Sequence, residues 1–298
     1  MTEKINDYNG RDYRTVWKHP RALFEDKFES KIIRTLLPKS LGWFVDIGAG
    51  YGRLYPLFKA QGRKVVLVDY ALNLLEMAAE KYSHDRDIFF VAANAYHLPF
   101  KDNIFAGGVS VRVFHHMNIP SEFMKETGRV IQNDGAMVME YANKRNLFRI
   151  FRRGMKSFRK DHEEYGPLHF GTHPLYFDKI ANDCGFRIMR TYGTGYFPIF
   201  IQKRIVFLTP FFLLAEIFFD ATFGRLGLAP LNFSYIKKVG EEIPPPIDMD
   251  FKNILQCPAC GGTLDLNLQA VIRCTMCNRA YRRHGKIFDL RYKPDAKE

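Results

Sequence analysis

The chain of 298 residues is short of cysteine, with five, and of tryptophan, with two. So few cysteines exclude the disulfide-dense scaffolds of small secreted proteins. No stretch reaches the ~20 consecutive apolar residues that a bilayer-crossing helix needs. The longest apolar run, from Ile205 to Phe219, is broken by Pro210 and Glu216. Internal repeats and low-complexity tracts are missing too, which sets aside solenoid, fibrous and disordered classes. The N-terminus has no pattern of a secretory leader, so a reducing, cytoplasmic setting is expected. One segment, Tyr141 to Lys160, holds no acidic residue at all.

What is present fits two globular units. The length is about twice the ~150-residue domain prior, and 47% hydrophobic residues suffice for a sizeable core. Four of the five cysteines form two C-x-x-C knuckles, Cys257-Pro-Ala-Cys260 and Cys274-Thr-Met-Cys277. Thirteen residues lie between them, a spacing that lets four thiolates converge tetrahedrally on one ion. Zinc is favoured over iron, and with no open ligand position the metal would be structural. The fifth cysteine, Cys184, reads as packing.

A second pattern lies near the N-terminus. Phe44-Val-Asp46-Ile-Gly48-Ala49-Gly50-Tyr-Gly52-Arg53 is an apolar run feeding a glycine-rich turn and then a helix start. Such a turn aims backbone N–H groups at a ligand, with no Cβ to block the approach. The dinucleotide fingerprint G-x-G-x-x-G would need glycine where Arg53 stands. Nineteen residues past Gly50, the run Lys64-Val-Val-Leu-Val-Asp69 ends in an acid, near the offset at which such sheets offer a carboxylate to a ribose. Ile88-Phe-Phe-Val-Ala-Ala-Asn94-Ala95 and Ala106-Gly-Gly-Val-Ser110-Val111-Arg112-Val-Phe114-His115-His116-Met117 follow in order.

Taken together these segments resemble class I S-adenosylmethionine-dependent methyltransferases, whose first motif has the form acid-x-G-x-G-x-G. The Leu98-Pro-Phe and Phe114-His-His-Met stretches resemble the ubiquinone/menaquinone-biosynthesis type in particular. The resemblance implies an α/β fold: a seven-stranded, doubly wound, Rossmann-like sheet with the seventh strand antiparallel, followed by a small C-terminal zinc ribbon. Strands are expected near 42–47, 64–69, 88–92, 105–112, 136–141, 186–192 and 231–238. Helices are expected near 22–37, 52–60, 71–82, 120–131, 174–183 and 204–224. The domain plan is a catalytic domain over 1–240, a proline-stiffened linker over 241–253 and the ribbon over 254–298. Asp46, Gly48, Ala49, Gly50, Gly52, Asp69, Tyr70, Asn94, Ala95 and Val111 would hold S-adenosylmethionine, with the Asn94 carbonyl replacing the usual Asp at the adenine amine. Tyr8, Tyr13 and Trp17 are candidates for closing the cofactor side. The ribbon resembles small zinc-ribbon proteins that activate methyltransferases, which makes it a candidate protein-docking module.

A sulfonium already carries a good leaving group, so the enzyme's task is to align the acceptor and exclude water. A hydroxyl or acidic-carbon acceptor also has a proton to lose, and histidine suits that role near neutrality. His115 and His116 lie just past the fourth strand, and His169 and His173 lie in an expected lid over 142–173. No D/N-P-P-Y-like stretch follows the fourth strand, which disfavours exocyclic-amine methylation. A small-molecule or lipid-like acceptor with O- or C-methylation is the leading expectation. An RNA methyltransferase and a catalytically silent scaffold are the alternatives. The segment 144–160 carries Lys144, Arg145, Arg149, Arg152, Arg153, Lys156, Arg159 and Lys160 between Leu147, Phe148, Ile150, Phe151, Met155 and Phe158. That is a basic amphipathic pattern suited to an anionic membrane surface, at the inner face, or to phosphates.

Overall fold

The computed structural model describes residues 2–10, 20–39, 42–59, 61–196, 227–241, 249–267 and 270–294, together with 211, 214, 215, 218 and 219. The expected roles of Tyr13 and Trp17, most of the helix over 204–224 and most of the linker over 241–253 lie outside the described residues.

The first half alternates strand and helix. Strand β1 (Trp43–Ile47) is buried along its whole length, and β2 (Lys64–Asp69) nearly so. Near-continuous apolar runs of this kind suit parallel strands covered on both faces. Between them lies the short helix α2 (Tyr55–Lys59), preceded by α1 (Pro20–Leu36). Then come α3 (Leu72–Tyr82), β3 (Ile88–Ala92), β4 (Phe105–Ser110), α4 (Pro120–Val130) and β5 (Ile131–Ala142). Pro120 opens α4 at a position where its missing N–H costs nothing. Strands β1 to β5 pair in parallel in the order β3-β2-β1-β4-β5.

The basic segment forms α5 (Leu147–Arg153) and a 3₁₀ turn over Gly154–Phe158, and it is followed by the hairpin β6 (His162–Gly166) and β7 (His169–Thr172). Helix α6 (Pro174–Asp183) returns to the sheet, where β8 (Phe186–Thr194) and β9 (Leu231–Lys238) close one side. Strand β9 runs antiparallel to both β5 and β8. All seven expected strands are therefore present, with the last one antiparallel.

The sheet is larger than the seven strands expected. After α7 (Phe251–Ile254), the C-terminal segment forms β10 (Leu264–Asp265), β11 (Val271–Cys274), β12 (Ala280–His284) and β13 (Ile287–Asp289). Strand β13 pairs in parallel with β3, with Ile287 opposite Phe90 and Asp289 opposite Ala92. One sheet of eleven strands results. The physical reason is the outer edge of β3: an unpaired buried edge leaves N–H and C=O groups unsatisfied, and β13 pairs them. Behind this junction Phe251 stacks on Phe89 with ring centroids 4.4 Å apart, and it also meets Phe288 and Trp43.

Phe251→Ala removes the ring that joins the cysteine segment to the parallel strands. A loss of about 3 kcal/mol in unfolding free energy is expected from urea titration. A change below about 0.5 kcal/mol would contradict this packing account.

Candidate active site

The carboxyl ends of β1, β2, β3 and β4 open into one cavity. It is lined by Asp46, Gly48, Ala49 and Gly50 from the first turn, Asp69 and Tyr70 from the second, Asn94 and Ala95 from the third, and Val111 and His116 from the fourth. The glycine turn has its shape for a reason. Gly48 and Gly50 sit at φ +81° and +54°, in the left-handed region. A Cβ on Gly48 would lie 2.0 Å from Val113, whereas one on Gly50 would meet only Leu74, at 3.9 Å. Gly48 thus permits close packing of the loop, and Gly50 keeps the cavity floor clear. Gly52 does not line the cavity: it packs behind the turn against Leu67 and Tyr82, so its place is structural.

Asp69 ties this ledge together. One carboxylate oxygen accepts the Gly50 N–H at 2.7 Å and the other accepts the Ala71 N–H at 2.8 Å. Burial pushes its carboxyl up, against the pull of these amides. Arg53, standing where a dinucleotide fold would have glycine, reaches Glu29 and Asp26 of α1 and clamps that helix over the turn. Arg112 grips Glu29 as well.

Asp46 is 1% exposed and its Oδ2 has no hydrogen-bond partner. Burial, opposed by Arg53 and reinforced by Asp69, raises its carboxyl to about 7. An orphaned carboxylate oxygen beside a glycine cradle fits the ammonium and carboxylate of an amino-acid tail, the cation facing Asp46 and the anion the turn's N–H groups. Asn94 lines the cavity and is also bonded to the protein itself. Its Oδ1 accepts the Tyr96 N–H, and its Nδ2 donates to Glu3 and to the Tyr292 carbonyl. It lines the cavity as a cross-link between distant segments.

The N-terminal residues Lys4, Ile5, Asn6 and Tyr8 line the cavity as well. Beneath them three imidazoles converge. The His115 ring centroid lies 4.1 Å from His116 and 4.9 Å from His169, with His116 and His169 5.6 Å apart. His169 comes from the β6–β7 hairpin, and His115 and His116 from a 3₁₀ turn after β4. Burial lowers the pKa of all three, and mutual proximity adds to it for His115 and His116. His116 Nδ1 lies 2.7 Å from the Leu168 carbonyl and 3.0 Å from Asn6 Nδ2, and Nε2 lies 3.0 Å from the Tyr8 hydroxyl; the nearer carbonyl can only accept, so it favours the tautomer with the proton on Nδ1 and the lone pair on Nε2. His173 does not join the cluster. Its ring accepts the Leu175 N–H and caps α6, a position set by the proline that follows it.

Glu140 escaped the sequence reading. It is 1% exposed at the end of β5, its Oε1 has no partner, and its Oε2 accepts the Arg112 N–H at 2.7 Å and lies 3.9 Å from His115 Nδ1. Burial, partly offset by Arg112, raises its carboxyl to about 7. The available signal was an acid inside the apolar run Ala136-Met-Val-Met-Glu140-Tyr-Ala.

The four cysteines converge as their spacing predicts. Their sulfurs lie within 4.8 Å of one another, with Cys257 to Cys277 at 3.8 Å and Cys260 to Cys274 at 3.5 Å. A tetrahedron with metal–sulfur bonds of ~2.3 Å has edges of about 3.8 Å, whereas a disulfide is ~2.05 Å long. Among the described residues nothing else comes as near to a tetrathiolate.

Residues 45–139 match the methyltransferase-domain family. Solved S-adenosylmethionine-dependent methyltransferases share the fold. The enzyme from Thermotoga maritima is 17% identical, with 76% of this chain and 94% of that one covered and a TM-score of 0.52. The enzyme from Aquifex aeolicus is also 17% identical, with 77% and 100% covered and a TM-score of 0.51. An uncharacterized protein of Methanocaldococcus jannaschii is 33% identical over 35% of this chain and 43% of its own length. The chain spans about half the length of the curated relatives it matches. The matched segment runs from β1 into β5 and supplies most of the cavity lining, in a fold shared with solved S-adenosylmethionine-dependent methyltransferases.

The raised Asp46 carboxyl has a consequence for pH. Because the folded protein holds this proton up to about 7, the carboxyl favours the folded state in acid, and that contribution fades as pH rises through 7. Pairing with a ligand ammonium needs the ionised form. Calorimetric affinity for S-adenosylhomocysteine should therefore rise between about pH 6 and 8, and Asp46→Asn should flatten the profile and weaken binding about tenfold. A wild-type profile that is flat or falls with pH would contradict the assignment.

Proposed function

We propose that the protein transfers a methyl group from S-adenosylmethionine to a small-molecule or lipid-like acceptor, at oxygen or carbon. The observation that carries this reading is that His116 lines the same cavity as the glycine cradle, with its Nε2 3.0 Å from the hydroxyl of Tyr8, which lines that cavity too. When bound, the donor supplies an activated methyl whose departure leaves a neutral thioether.

The chain's own residues do the rest. The glycine ledge and Asp46 hold the amino-acid tail, and Asp69 and Tyr70 stand at the ribose end. His116, kept neutral by burial, takes the acceptor proton at Nε2, the position now bonded by the Tyr8 hydroxyl. His115 and Glu140 back the ring and exclude water. The cavity holds no cysteine, and the strand-end sequence Ser110-Val-Arg-Val-Phe-His-His offers no amide-bearing clamp for an exocyclic amine.

In this reading the acceptor is drawn from a basic, apolar surface beside the hairpin that carries His169. Phe151 and Met155 are 83% and 82% exposed on α5 and the 3₁₀ turn that follows. Around them stand exposed Arg152, Lys156, Arg159 and Lys160. Helix α5 is clamped to the hairpin that carries His169: Arg149 lies 3.4 Å over the Tyr165 ring, and Arg153 pairs with Glu163. Protruding apolar side chains ringed by cations favour an anionic lipid surface over an RNA backbone, which offers nothing to bury them. No helix among the described residues is long and apolar enough to cross a membrane. In this reading the protein is cytoplasmic and rests peripherally on the inner membrane face, with the four cysteines holding a structural zinc ion.

Incubating lysate fractions with radiolabelled donor and sorting the label tests the reading. Label is expected in the organic-extractable pool, with His116→Ala lowering turnover about 10²-fold or more while affinity for S-adenosylhomocysteine stays within a few fold. Label confined to RNA, or no label in any pool despite tight cofactor binding, would overturn it.

A further inference from the structure

The cysteine segment does more than end the chain. From the metal knuckles the backbone passes through β12, where the Tyr281 hydroxyl lies 3.2 Å from Cys257 Sγ, into β13 on the edge of β3. The pairing continues one residue further, as the Leu290 N–H donates to the Ala92 carbonyl at 2.9 Å. Residues 291–293 then run along the outer side of two residues that line the donor cavity.

Tyr70 is held three times. Arg291 Nη1 donates to its carbonyl at 3.4 Å, the Arg291 guanidinium lies 5.5 Å from its ring centroid, and the Lys293 ammonium lies 5.6 Å from it. Arg291 is itself oriented by Asp289, through Nη2 at 2.6 Å and Nε at 2.8 Å. Asn94 is tied to the Tyr292 carbonyl at 3.1 Å, and the Tyr292 ring packs edge-on against His97. The Asn94 amide also donates to Glu3, in the N-terminal segment that lines the cavity.

We propose that residues 289–293 are positioning residues of the donor site, and that metal occupancy of the four cysteines sets donor affinity through them. This rests on the donor assignment made above. The cysteines sit at the base of a hairpin whose far strand is β13, so an ion that fixes the knuckles also fixes the register of β12 and β13. Loss of the ion frees that hairpin, and with it the clamp on Tyr70 and the anchor for Asn94. Without the ion the four sulfurs, within 4.8 Å of one another, keep only weak sulfur hydrogen bonds such as those to the Tyr281 hydroxyl and the Cys277 N–H, which gives the apo segment little to hold its shape.

The test uses the full-length protein with S-adenosylhomocysteine as the calorimetric probe. Affinity is measured with the metal bound, after removal by a zinc chelator and after zinc is returned. Removal is expected to weaken binding at least about tenfold, the scale of one hydrogen bond and one cation–π contact, and zinc to restore it. Two point variants separate the tail from general unfolding. Arg291→Ala should lose about tenfold in affinity at unchanged metal content, and Arg291→Lys, which keeps a cation over the Tyr70 ring, should recover most of it. Undiminished binding after chelation and in Arg291→Ala would overturn this proposal alone. Failure of the metal-loaded wild type to bind at all would overturn the donor assignment and this proposal with it.

Discussion

The Asp69 carboxylate is the pin of the molecule's working face. By accepting N–H groups from Gly50 and from Ala71, it fixes the turn after β1 to the turn after β2, at the point where the sheet's carboxyl edge opens. Two left-handed glycines make the geometry accessible, and Arg53 secures α1 against the back of the turn. Without this tie the cradle's N–H groups would have no common direction, and the cavity beneath Tyr8 would lose its floor. Burying an acid to achieve it costs desolvation, which charge-assisted bonds to two amides offset.

From that ledge the site extends in two directions, each built by a distant part of the chain. On one side, β6 and β7 carry His169 onto His115 and His116, and α5 braces the hairpin through Arg149 and Arg153. On the other, the cysteine segment extends the sheet from β3 and lays its tail against Tyr70 and Asn94. The basic segment is thereby divided in use. Lys144 is buried and pairs with Asp161 and Glu163, and Arg149 and Arg153 engage the hairpin, while Arg152, Lys156, Arg159 and Lys160 stand exposed in the segment of protruding Phe151 and Met155.

Local chemistry was legible in the sequence, and long-range closure was not. The glycine turn, the acid nineteen residues on and the paired cysteine knuckles are each written in a short window, because backbone sterics and ligand spacing act over a few residues. The seven strands followed from apolar runs, and the antiparallel seventh from the family resemblance. Asn94 lines the cavity as expected, but its bond to the Tyr292 carbonyl, 198 positions away, has no local pattern to announce it. Glu140 was hidden for a related reason: an acid in a strand acquires a raised pKa only once both faces of the sheet are covered. His173 looked like a lid histidine, and only the following Pro174 hinted at a helix cap. The eleven-stranded sheet could not be anticipated, since edge pairing between β13 and β3 depends on which edge the fold leaves open.

The account stands on the ledge between Gly48 and Asp69 being the seat of the methyl donor. The most direct measurement is a crystal structure of the protein soaked with S-adenosylhomocysteine. The amino-acid tail should lie over Gly48 and Gly50 with its ammonium against Asp46, and the ribose hydroxyls should face Asp69. Electron density for the compound at any other place, with this ledge vacant at saturating concentration, would contradict it.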